Sequence, residues 1–110
     1  MSMTKDGSYV AIGCDAGNSL YIEEVVGGNT SLAQHMNEGA FKYNQIFLSD
    51  DLNYIVIGET NHNNINIYQN QWTNGSINFT YIGFIPHNSM RTAVYMTPNN
   101  RYIFDGGMDN

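Results

Sequence analysis

Basic side chains are the scarcest feature of this sequence. Lys5, Lys42, Arg91 and Arg101 are the only four in 110 residues, against ten acidic ones, and the net charge is −6. They are scattered along the chain, so no cationic stripe exists to neutralise a phosphate backbone, and nucleic acid is excluded as a partner. The same deficit argues against an anionic membrane surface. Cysteine is nearly absent as well. Cys14 alone can form neither an intrachain disulfide nor a cysteine-based zinc site, and it reads as a small apolar residue. No apolar run approaches the roughly 18 residues that span a bilayer. Met1 to Gly7 lacks the apolar stretch of a signal peptide. These absences tilt the location only slightly toward the cytoplasm, and three glycosylation triplets, at Asn29, Asn74 and Asn78, are what a secreted parent would carry. Helical periodicity is missing throughout, and almost no helix is expected.

What the chain does have is aromatic and aliphatic residues in short runs, with eight Tyr, five Phe and one Trp. That is the composition of a folded protein, not a disordered one. The runs recur. Thr4-Lys5-Asp6-Gly7-Ser8-Tyr9-Val10-Ala11-Ile12-Gly13 aligns with Ser49-Asp50-Asp51-Leu52-Asn53-Tyr54-Ile55-Val56-Ile57-Gly58. Both align with Thr97-Pro98-Asn99-Asn100-Arg101-Tyr102-Ile103-Phe104-Asp105-Gly106. Each copy holds a hydroxyl residue, an Asp or Asn two positions on, then a Tyr, an apolar run and a Gly. The copies begin 45 and 48 residues apart, a period typical of four-stranded propeller blades.

Hydroxyl and Asx residues favour a tight turn through side-chain-to-backbone hydrogen bonds. The Tyr-led runs have high strand propensity and are apolar on both faces, which predicts strands sandwiched between neighbouring sheets. The closing Gly is expected to permit a bend. Ile46-Phe47-Leu48 and Ala93-Val94-Tyr95-Met96 read as innermost strands, with the Tyr-led runs second. Leu20-Tyr21-Ile22 and Ile65-Asn66-Ile67-Tyr68 read as third strands. Ser31-Leu32-Ala33-Gln34 and the run from Phe79 to Ile85 read as outer strands. The expected fold is all-β: about two and a half four-stranded antiparallel blades in a single segment, 1–110. The repeats fall at about 1–44, 45–92 and an incomplete 93–110.

These residues resemble WD-repeat and YVTN-type β-propeller blades. The stretch from His87 to Asn110 follows the WD-repeat order of elements. On that analogy His87 sits in the loop entering an inner strand and Asp109 in the turn after a second strand. The pattern also departs from the family. Tyr68-Gln69 and Glu23-Glu24 stand where the Trp-Asp pair belongs, and Ile12, Ile57 and Asp105 stand where its serine belongs. The family's Ser-His-Asp-Trp hydrogen-bond network therefore cannot be complete. A propeller closes with at least four blades, so the resemblance implies a piece of a longer propeller or a protomer that completes one with further copies.

No residue set carries a catalytic signature. His35, His62 and His87 have no metal-ligand spacing, and no cofactor is expected. Asp6, Asp50 and Asp51 fall in the repeated turn, where capping the backbone explains them. Glu23, Glu24 and Glu59 have no partner visible in the sequence. Asp105 and Asp109 together fall short of a calcium loop. Trp72, between the third and outer strands, either packs on the blade edge or serves as a binding hot spot. Phe41, Lys42 and Tyr43 precede one inner strand, and Arg91 holds a comparable place in the next. The resemblance implies that such positions border the central opening where partners dock. These five residues are the candidate partner-binding set. The expected function is a non-catalytic scaffold for a protein or peptide partner. The alternatives are a fragment of a propeller enzyme, hydrolase or oxidoreductase, and a glycan-binding module.

Overall fold

In a computed structural model the described residues are 1–14, 19–37, 43–59, 64–86 and 91–107. They form ten strands and, among the described residues, no helix. The strands are β1 (Ser2–Met3), β2 (Tyr9–Cys14), β3 (Ser19–Val26), β4 (Asn29–Asn37), β5 (Tyr43–Leu48), β6 (Tyr54–Glu59), β7 (Asn64–Asn70), β8 (Phe79–Pro86), β9 (Arg91–Met96) and β10 (Ile103–Gly107). Two antiparallel sheets of four are ordered β1-β2-β3-β4 and β5-β6-β7-β8, and a third sheet pairs β9 with β10. Within each sheet consecutive strands pair, as in a blade that meanders outward. The inner, second, third and outer strands match those expected from the sequence.

The turn between inner and second strands is the same structure three times. Thr4, Ser49 and Thr97 each form a reciprocal pair of hydrogen bonds with the Tyr five residues on, one through the backbone and one through the side-chain hydroxyl. The hydroxyl residue's N–H donates to the Tyr carbonyl at 2.9–3.0 Å, and the Tyr N–H donates to its hydroxyl at 2.9–3.2 Å. The hydroxyl in turn donates to Asp6, Asp51 or Asn99 at 2.7–2.9 Å. That Asx oxygen also accepts the N–H two residues further on, from Ser8, Asn53 or Arg101. The next position is left-handed in every copy: Gly7 at φ 74°, Leu52 at 63° and Asn100 at 60°. Gly and Asn adopt this conformation readily, whereas Leu52 does so at a cost of about 1–2 kcal/mol. Of the glycines that close the repeats, Gly106 sits at a register shift in the β9–β10 ladder, whereas the first two do not bend the chain. Gly13 and Gly58 lie in extended strand opposite the fully buried Leu20 and Ile65.

Apolar residues on both faces of the second strands follow from stacking. Ala11, Leu20, Ile22 and Met36 of the first sheet pack against Ile46, Leu48, Ile55, Ile57, Tyr68 and Phe79 of the second. From its other face, the second sheet packs Val56 and Ile65 against Val94 and Met96 of the third. Ile55, Val56 and Ile57 are consecutive and all fully buried, which a strand covered on only one side does not achieve. Outer strands β4 and β8 each carry one extra residue, Ala33 and Ile82, at matching places in the ladder. Such bulges raise local twist.

Candidate functional site

Strand direction gives the stack two rims. One carries the three hydroxyl turns together with the β3–β4 and β7–β8 connections. The other carries the starts of β3, β5, β7 and β9. The sequence-derived set divides between them. Tyr43 and Arg91 are the first residues of β5 and β9, equivalent positions on the second rim. Trp72 belongs to the first, so the structure does not bring the set together. Phe41 and Lys42 lie outside the described residues, as do His62, His87 and Asp109.

Trp72 sits in a built arm. Asn74 and Gly75, at φ 53° and 77°, form the tip of a two-residue turn closed by Thr73 and Ser76, each N–H donating to the other's carbonyl at 3.0 Å. Positive φ at both tip positions is the type I′ geometry that Asn-Gly favours. The buried Asn70 anchors the base of the arm. Its Oδ1 accepts from Trp72 N at 3.0 Å and Asn78 N at 2.8 Å, and its Nδ2 donates to the Leu52 carbonyl at 3.0 Å. The Trp72 side chain is 45% exposed, so packing on the blade edge does not bury it. Beside the arm, Tyr9, Glu24, Leu32, Ser76 and Ile77 line a groove of about 400 Å³ between the first and second sheets. Burial there, then the charge of Glu24, pushes the Tyr9 phenol above its ordinary range.

Asp6 and Asp51 serve as backbone caps, as expected. Hydrogen bonds from Ser8, side chain first and then backbone, hold Asp6 below the ordinary carboxylate range. Burial works against ionisation of Asp51, but the bonds it receives from Asn53, Ser49 and Asn100 outweigh it, and its pKa is lowered too. Asp50 does something the sequence reading missed. It reaches 45 residues back to the previous turn, where its Oδ1 accepts from Lys5 N at 2.6 Å. Asn100 makes the corresponding link at the next interface, donating to Asp51 Oδ2. A second missed link joins outer strands. The Gln34 carboxamide donates to the Phe79 carbonyl at 2.9 Å and accepts the Phe79 N–H at 2.8 Å. His35 stacks on Tyr21, ring centroids 4.6 Å apart, a packing role. Among the described residues no group of three His, Cys, Asp or Glu is placed to hold a metal ion.

Four-stranded antiparallel sheets stacked face to face, with their inner strands β1, β5 and β9 side by side, define blades of a β-propeller. Solved structures agree with this fold. The chain superposes with a TM-score of 0.76 on a Bacteroides fragilis protein assigned as a 6-phosphogluconolactonase, at 19% identity over 94% of this chain and 30% of that one. A Bacteroides uniformis protein assigned the same activity gives 0.76 at 18% identity, covering 94% of this chain and 31% of its own. The β-propeller domain of Myceliophteria thermophila Cps50 (Swd1) also gives 0.76, at 11% identity over 97% of this chain and 35% of that one. The chain thus spans about a third of each of these three structures. No protein-family model and no curated protein matches it.

Proposed function

We propose that this chain is a non-catalytic interaction module, a segment of a larger propeller whose loops present a surface to a protein or peptide. Its blades are taken as 1–44, 45–92 and the partial 93–110. One observation carries the reading. Phe104 holds the second-strand position of Ala11 and Val56, both fully buried between sheets, yet it is 61% exposed. Tyr95 and Tyr102 are also exposed. An apolar face of this kind is where a further sheet stacks, either another blade of the same propeller or another copy of the chain. Phe41, Lys42, Tyr43 and Arg91 would then surround one mouth of the central opening, with Trp72 on the other rim. Affinity capture with the chain, compared with a Phe41→Ala/Tyr43→Ala/Arg91→Ala variant, tests that placement. Partners captured by the first and lost by the second are the expected result. Identical captures would overturn it.

The two lactonase-assigned neighbours favour a second reading, in which the chain contributes blades to a propeller hydrolase. A phosphorylated lactone calls for cationic donors. The sequence has only four basic residues, and of these Lys5 and Arg101 lie in two different hydroxyl turns. Hydrolysis of 6-phosphogluconolactone by the chain at no more than the uncatalysed rate is expected. Turnover abolished by a single carboxylate substitution would favour the enzyme.

A further inference from the structure

Outer strand β8 exposes two aromatic side chains on the side where a neighbouring sheet is already present. Strand register fixes their direction. Tyr81 lies opposite Tyr68, and Phe84 opposite Asn66. Tyr68 and Asn66 in turn lie opposite Ile55 and Ile57, and Tyr68, Ile55 and Ile57 all belong to the core shared with the first sheet. Directly opposite residues share a face, so Tyr81 and Phe84 lie on the first-sheet side as well. They are nevertheless 51% and 53% exposed. A sheet stacked on the open face at Phe104 lies beyond the third sheet, on the far side, and covers neither. At the matching places of β4 stand Leu32 and His35, and the His35 ring is stacked on Tyr21.

The backbone of β8 is open beside this aromatic pair. β8 ends its sheet, so among the described residues one side of it has no strand neighbour. At Phe79 that side is already filled. The Gln34 carboxamide takes both the N–H and the carbonyl, as a peptide group of a further strand would. Backbone groups alternate in direction along a strand, so those of Tyr81, two residues on, point outward too. Pro86, without an N–H, closes the edge. The open stretch, 81–85, is about 16 Å long, enough for a strand of five residues. Phe79–Pro86 holds no charged residue, and charge is a usual guard of an exposed edge.

We infer that this edge receives an extended peptide of a partner protein as a fifth strand, its apolar side chains set against Tyr81 and Phe84 and its ends basic. Main-chain hydrogen bonds supply the affinity, and the aromatic pair selects the side chains. Charge selects the occupant. Two copies of a chain of net charge −6 repel each other, whereas a segment with basic ends is attracted. The inference rests on the interaction-module reading and gives the form and chemistry of one partner.

The test is titration of the full chain with acetyl-Lys-Ile-Thr-Val-Thr-Ile-Lys-amide, followed by backbone-amide NMR and hydrogen exchange. Saturable shifts and slowed exchange at residues 81–85 are expected. The same peptide with its three central N–H groups methylated should bind at least about tenfold more weakly, as should one with glutamate in place of both lysines at low salt. Tyr81→Thr/Phe84→Thr keeps strand-forming residues at both positions and should lower affinity by about tenfold with strand content intact by circular dichroism. Equal binding of the methylated peptide, an unaffected double variant or shifts confined to other strands would each overturn the inference. So would concentration-dependent protection of 81–85 without peptide, which would give the edge to a second copy. Any of these would leave the interaction module standing, because its own test is partner capture through Phe41, Tyr43 and Arg91.

Discussion

Ser49 shows how much of this fold hangs on single polar atoms. Its buried hydroxyl accepts the Tyr54 N–H and donates to Asp51. Ser49→Ala strands both partners and should cost about 1–3 kcal/mol in urea-midpoint measurements. Ser49→Thr, the residue of the other two copies, should keep most of the stability. The turn carboxylates add a pH dependence. Asp6 and Asp51 have lowered pKa values in the folded chain, so below the ordinary carboxylate value of about 3.9 the unfolded state binds more protons. Their contribution is present above that value and is lost as pH falls through the folded one. Urea midpoints should therefore drop between pH 5 and pH 2 (roughly the window such a carboxylate spans), and Asp51→Asn should flatten the decline. A slope unchanged in the variant would show that Asp51 is not among its sources. At this scale the sequence was most legible where the chemistry is local. The hydroxyl, Asx and Tyr of each turn lie within six residues, and their recurrence exposed their shared role. Leu52 was not legible as a left-handed residue, because the turn imposes that conformation against its side chain's preference.

Links between elements were harder to read, for a physical reason. The Gln34 carboxamide pairs with both backbone groups of Phe79, extending the hydrogen bonding of the outer strands from one sheet to the next. Glutamine in an outer strand reads as a side chain turned to solvent, and its partner is a backbone that carries no sequence signal. Asp50 likewise contacts a backbone N–H 45 residues away. Gln34→Ala should cost about 1–3 kcal/mol, since Phe79 is buried and loses both partners. Gln34→Glu keeps only the acceptor and sets a charge against the Phe79 carbonyl, so its melting temperature should fall below that of the parent chain. A Gln34→Ala variant as stable as the parent would mean that water replaces the clip. The strands themselves were legible, because a second strand covered on both faces cannot alternate polar and apolar residues. The Trp72 arm was only half so. Its Asn74-Gly75 tip carries a hairpin signal, but the anchoring by Asn70 depends on Leu52, which is remote in sequence.

At the scale of the whole molecule the repeat gave the architecture. The candidate site did not follow from it, since Trp72 and the pair Tyr43 and Arg91 turn out to belong to opposite rims. Positions equivalent by repeat separate into buried and open copies. Val56 is covered by the third sheet, while Phe104 on that sheet faces outward. The account's central claim is that this face seeks another sheet, and sedimentation equilibrium on the purified chain over a range of concentrations addresses it most directly. The expected result is reversible association that a Tyr102→Ser/Phe104→Ser variant abolishes without loss of strand content. A well-folded monomer at every concentration, indistinguishable from that variant, would contradict the account.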